Sequence, residues 1–262
     1  MSERSQIIAN LESVWSSIDE MCSTFSPTDW QVRSLCPDWT LHGVLAHLCA
    51  VEFALTGWLP ESADSPLPFD RVAPFLAEAA TLDGAALLDR FRATIAQRRQ
   101  ELAATDDATF AAGSPTPVGK ATYGRFMAVR EFDFWVHERD MRVPLGRRGD
   151  DGGPAAEMAL DEVHQSMGYI VGKRAGAPDG SSVAVRLTGP VEREIFVAVD
   201  GRAALVDHLD DPTTTLSTDS LTFMLLACGR IDPAGPIGDG RITWSGDATL
   251  GEQVARNLRF TM

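Results

Sequence analysis

The sequence predicts an α+β protein, with an N-terminal four-helix bundle followed by a smaller mixed domain. Three observations predict it. Apolar residues recur at three-and-four spacing through the first half of the 262-residue chain. Beyond Gly180 the apolar period changes to two. Between the two regimes, residues 144–154 are rich in glycine and charge, as a linker would be. The expected domains are 1–175, which includes that linker, and 176–262.

The elements follow in order. Ile7, Ile8, Leu11, Val14, Trp15, Ile18, Met21, Cys22 and Phe25 share one helical face, and Pro27 ends the helix. Thr40 is a suitable N-cap for a second helix carrying Leu41, Val44, Leu45, Leu48, Glu52, Leu55 and Trp58. Glu52 breaks that apolar face, so it is expected at the edge or paired within it. Residues 60–74, with their prolines and serines, read as a loop or short helical connection and a candidate lid over the bundle mouth. Leu87, Leu88, Phe91, Ile95 and Leu102 mark a third helix; Tyr123, Phe126, Met127, Arg130, Asp133, His137 and Met141 mark a fourth.

Helical spacing returns briefly through Met158, Leu160, Val163, Met167, Ile170 and Val171. Val183, Val185 and Leu187 then alternate with other residues, as do Ile195, Val197 and Val199, and Asp200-Gly201 after the second run signals a hairpin. Residues 203–207 form a third strand, and the β-branched run 213–217 suits an extended segment. Asp219 or Ser220 caps a helix through Leu221–Ala227 that Gly229 stops. A short strand, Arg241–Trp244, and a helix bearing Leu250, Val254 and Leu258 close the reading.

Charge narrows the function. The 23 basic and 37 acidic residues give a formal charge of −14, which opposes binding to nucleic-acid backbones or anionic membranes. No run of about eighteen apolar residues appears, and the first residues lack the basic patch and apolar core of a signal peptide, so a cytoplasmic protein is expected. Cysteines 22, 36, 49 and 228 show no Cys-x-x-Cys spacing and are expected to be reduced. Cys36 and Cys49 flank the second helix, either as a nucleophile or, more commonly for free cysteine, as apolar packing.

The run 130–140 carries the chemistry. At about 3.6 residues per turn, Asp133 and His137 stack on one helical face, and carboxylate oxygen and imidazole nitrogen are both zinc ligands. His47 is a polar interruption of the second helix and a third candidate ligand. Three ligands from two helices would leave a fourth position open, as in a catalytic zinc site. The plain alternative is an intrahelical hydrogen bond for the pair and an ordinary buried histidine at 47. Arg130, one turn before Asp133, is placed to neutralise it, and Asp140 to orient His137.

Cys36-Pro37-Asp38-Trp39-Thr40, then Val44-Leu45-Ala46-His47-Leu48, then Asp133-x-x-x-His137-x-x-Asp140 together resemble the DinB-type metalloproteins, specifically the mycothiol-dependent maleylpyruvate isomerase family. The resemblance implies a metal-holding bundle with His47, Asp133 and His137 as ligands, usually to zinc, with nickel as an alternative. Asp133 departs from the glutamate usual there and reaches less far by about one carbon–carbon bond, ~1.5 Å. The mixed second half resembles the family's sterol-carrier-like C-terminal domain.

The resemblance also implies mycothiol as thiol cosubstrate, stabilised as thiolate by the metal, and a small electrophilic substrate that it attacks by isomerase or S-transferase chemistry. A non-catalytic metal or small-molecule binder is the alternative function, and monomer and homodimer both stand open. The family's Gly-Arg at a helix end implies a catalytic role for Arg230, whose side chain suits bidentate carboxylate binding. The structural alternative for Arg230 is a cation serving the last carbonyls of a helix.

Overall fold

The computed structural model describes residues 2–147 and 149–260, so Arg148 of the glycine- and charge-rich stretch lies outside the described residues. The chain divides into two compact units, Met1–Gly149 and Asp150–Met262. The division thus falls at 149/150 and not at the expected 175/176. Helical periodicity announces a helix but not the core it joins: Ala156, Ala159, Leu160 and Val163 are buried on a helix that packs within the second unit.

In the first unit α1 (Glu3–Ser23) starts at Ser2, whose hydroxyl accepts from the Ser5 amide. α2 (Leu41–Leu55) starts at Thr40, whose hydroxyl accepts from the Gly43 amide at 3.3 Å. α2 buries residues on nearly every side, as expected of a helix packed on several partners. α3 (Val72–Ala79) follows the irregular part of the expected loop and turns Phe75 and Ala79 inward against α2. α4 (Gly84–Ala103) is capped by Asp83, which accepts from the Ala86 amide at 2.8 Å. Its first residue must be glycine, because a Cβ there would lie 2.2 Å from the Trp30 indole nitrogen.

A short helix, α5 (Asp107–Ala111), and a hairpin of β1 (Gly113–Thr116) and β2 (Gly119–Thr122) lead into α6 (Tyr123–Arg142). The hairpin has no counterpart in the sequence reading, since four-residue strands without alternating apolar positions leave no period to detect. α1 packs on α4 and α6, and α2 packs on the same two. The four long helices therefore close a ring, which brings the polar inward residues of α2 and α6 face to face.

In the second unit α7 (Gly153–Gln165) and a short α8 (Met167–Tyr169) run into a π-helical turn, Ile170–Arg174. The strands are β3 (Ser182–Thr188), β4 (Arg193–Asp200), β5 (Arg202–Val206), β6 (Thr214–Asp219) and β7 (Ile242–Gly246). They form one sheet in the order β5-β4-β3-β6-β7, antiparallel except where β3 lies parallel to β6 with Val185 opposite Leu216. Asp200-Gly201 makes the expected turn, with Gly201 at φ 63°. α9 (Ser220–Ala227) is capped by Asp219 and ends before Gly229, which adopts the left-handed φ of 67°. α10 (Ala234–Gly238) and α11 (Ala248–Arg256) complete the unit. Among the described residues, no helix is long and apolar enough to cross a membrane.

Candidate metal centre

α2 and α6 bring the three expected ligands together. Nε2 of His47 lies 3.5 Å from Oδ2 of Asp133, and Nε2 of His137 lies 3.5 Å from Oδ1 of the same carboxylate. One donor atom from each of the three falls within 4.8 Å of the others. The imidazoles are edge to face, with centroids 4.9 Å apart. Trp39 walls one side, its ring 4.9 Å from His47 and 5.8 Å from His137. The His47 and Asp133 side chains keep 24% and 27% of their surface, so the cluster opens outward on that side.

The spacing is compatible with a shared cation. Zinc bonds of about 2.0–2.1 Å at tetrahedral angles place donors about 3.3 Å apart. A hydrogen bond closes further, as the same histidine shows: its Nδ1 is 2.8 Å from Oδ2 of Asp140. An ionised carboxylate only accepts, so Nδ1 is the donor in that bond and Nε2 is the nitrogen that faces Asp133. Two imidazole nitrogens and a carboxylate with an exposed side form a donor set fit for zinc or another borderline divalent ion.

Asp140 is fully buried and also accepts from the Cys36 thiol at 3.2 Å. Cys36, His137 and Asp140 form a second close group, and Asp140 braces the back of His137. Cys49 is no nucleophile. It is buried against Thr94, and burial pushes its thiol up to about 12.

Behind Asp133 lies a ladder of buried charge. Nη1 of Arg130 donates to Oδ2 of Asp133 at 2.7 Å, as its spacing on the helix suggests. Nε of Arg130 donates to Oε1 of Glu52 at 2.8 Å, and Oε2 of Glu52 accepts from Nε of Arg98 at 3.0 Å. Arg98 reaches Glu101 at 2.7 Å and the Tyr123 hydroxyl at 3.5 Å. Glu52 is thus paired twice within the apolar face it interrupts. Burial of these groups is compatible with charge because each carboxylate meets a guanidinium.

The ladder sets the charge state of Asp133. Burial alone would raise its carboxyl, but Arg130, then His137 and His47, hold it well below its ordinary value of 3.8. A carboxyl depressed in the folded state adds stability that is complete above its unfolded pKa, about 4, and is lost as pH falls through the folded value. Thermal midpoints of metal-free protein should therefore fall faster between pH 4 and pH 2 for the wild type than for Asp133→Asn. Parallel curves would show that Asp133 is not depressed.

Arg230 lies in the second unit, just past α9 and Gly229. Its Nη1 donates to the Cys228 carbonyl at 2.8 Å, the use expected of a cation at a helix C-terminus. It also lines a cavity of about 340 Å³ with Arg174, Leu226, Asp232, Leu258 and Arg259.

A helical unit holding a His–Asp–His cluster, joined to a separate α+β unit, defines a two-unit protein with its polar centre between bundle helices. The sequence matches the mycothiol maleylpyruvate isomerase N-terminal domain over residues 11–142 and the C-terminal domain of the same family over residues 157–253. The chain belongs to the mycothiol maleylpyruvate isomerase family.

Two solved structures share the fold. The mycothiol-dependent maleylpyruvate isomerase aligns with a TM-score of 0.63 at 19% identity, covering 94% of this chain and 93% of its own. A mutant of a mycothiol-dependent maleylpyruvate isomerase with one histidine replaced by alanine gives 0.63 at 17% identity, over 94% and 93%. A sterol carrier protein 2-like protein from Aedes aegypti aligns over 38% of this chain and 96% of its own, at 14% identity and a TM-score of only 0.32. No curated protein matches the sequence.

Two features escaped the sequence reading. Trp39 sits in the quoted motif, but nothing in sequence says that its ring covers both histidines. The Glu52–Arg98–Arg130 contacts join residues 46 and 78 positions apart, which no local period links.

Proposed function

We propose that this chain is a metal-dependent, mycothiol-using enzyme acting on a small electrophilic substrate, with isomerisation of a maleylpyruvate-type compound as its reaction. The observation that carries the reading is the 3.5 Å spacing of His47 and His137 to one carboxylate, open on its outer side. Family membership supports the choice of thiol and reaction. A divalent ion held by His47, Asp133 and His137, zinc above all, would supply the positive charge that favours a thiolate near neutral pH.

The chain's own residues have separate tasks. Asp140 keeps His137 in one tautomer, Arg130 keeps Asp133 ionised, and Trp39 excludes water from one side of the imidazoles. For Arg230, in the second unit, the role proposed from the family resemblance is binding a carboxylate, which its planar fork fits. Thiol addition to a conjugated double bond, rotation, and loss of the thiol return mycothiol unchanged. Displacement of a leaving group would consume it, which is the S-transferase form of the same chemistry.

A second reading, a binder without turnover, is favoured by one observation: Asp133 already has a cationic partner in Arg130. The test follows cis-to-trans conversion of a maleyl substrate with catalytic mycothiol, before and after chelation. Expected is turnover that needs the thiol, is lost with chelator and returns with zinc. Absence of metal-dependent turnover across several electrophiles would leave the binder.

A further inference from the structure

Glu52 stands five residues after His47 on α2, and Arg130 three residues before Asp133 on α6. Glu52 and Arg130 are only 1% and 5% exposed. The path from one ligand helix to the other therefore runs Glu52 Oε1, Arg130 Nε, Arg130 Nη1, Asp133 Oδ2, with both hydrogen bonds at 2.7–2.8 Å. Arg98 and Glu101 hold the far side of Glu52 in turn.

We infer that the Glu52–Arg130 pair is a positioning device that fixes how far the carboxylate at residue 133 reaches toward the two imidazoles. A guanidinium is planar, with its donors in a fixed fork, so it transmits position between two carboxylates; an ammonium on a flexible stem does not. Both links are at full hydrogen-bond contact. The path has no slack for a carboxylate that is longer by one carbon–carbon bond, ~1.5 Å.

Position and charge make opposite predictions here, which lets them be told apart. If Arg130 acted only through its positive charge, it would repel a bound dication, and Arg130→Lys would change nothing. If it positions, Arg130→Lys loosens Asp133 although the charge is kept. Likewise Asp133→Glu keeps the donor type, yet its extra methylene must displace Arg130 or overshoot the centre. Glu52→Asp draws the ladder back by a similar length and should make room again.

The inference rests on the proposed metal centre, and its test reads metal binding without activity. Co²⁺ is titrated into wild type, Arg130→Lys, Asp133→Glu and Glu52→Asp/Asp133→Glu, with its visible d–d bands recorded and folding followed by circular dichroism. Arg130→Lys and Asp133→Glu are each expected to weaken Co²⁺ binding at least tenfold and to shift the bands; the double variant should bind more tightly than Asp133→Glu alone. Wild-type affinity and spectrum in Asp133→Glu would overturn the inference, and Asp133→Glu decides the matter even if Arg130→Lys does not fold. A wild type that binds no Co²⁺ would overturn the metal centre itself, and the inference with it. Binding by wild type with unchanged variants would overturn the positioning role alone.

Discussion

Replacing His47 by alanine should reduce the metal carried by protein purified without chelators from about one ion per chain to less than a tenth of that. Three protein donors make the centre, and even the loss of a partner behind a ligand lowers metal affinity about 10–100-fold. Loss of a ligand itself should do more, because Asp133 and His137 alone leave two positions to water. The fold should survive, since His47 points to the open side with 24% of its side chain exposed and, among the described residues, makes no ion pair besides the one to Asp133. Elemental analysis after dialysis, with circular dichroism as the folding control, decides it. Full metal occupancy in a folded His47→Ala protein would remove the basis for the proposed chemistry.

The second large effect is on stability. Arg98→Ala should destabilise the first unit by about 3–5 kcal/mol, the range for removing one partner of a buried ion pair. Arg98 and Glu52 are each only 1% exposed, and Arg98 also donates to Glu101 and to the Leu55 carbonyl. Burial opposes its charge, yet Glu52, Tyr123 and Glu101 together raise its pKa above the ordinary value. Without the guanidinium, Glu52 keeps Arg130 but presents Oε2 to the interior without a donor, and a cavity of arginine size remains. For a unit of this size the thermal midpoint should drop on the order of 10 °C. A loss below about 1 kcal/mol would mean that the pair behaves as a surface bridge, reached by water.

Much of the architecture was legible because it rests on local periods. The buried face of α1 is almost the set that three-and-four spacing selects, and Thr40 and Asp219 cap the helices they precede. Asp200-Gly201 turns β4 into β5 because glycine accepts a positive φ. The boundary was less legible: α7 has a helical period that either unit would satisfy, and only its packing assigns it to the second. The same holds for β6, whose β-branched run says extended but not that it lies parallel to β3.

The candidate site divides the same way. By themselves the residues determined a carboxylate and an imidazole one helical turn apart, a third imidazole on an earlier helix, and a charge balance unsuited to nucleic acid. Only the tertiary structure decided that His47 meets Asp133 at 3.5 Å, that Asp140 lies 2.8 Å from Nδ1 of His137, and that Glu52 ties α2 to α6 through Arg130. A helix's own geometry dictates which of its side chains stack. How far two helices stand apart depends on every residue packed between them, and that distance determines whether three donors share a centre.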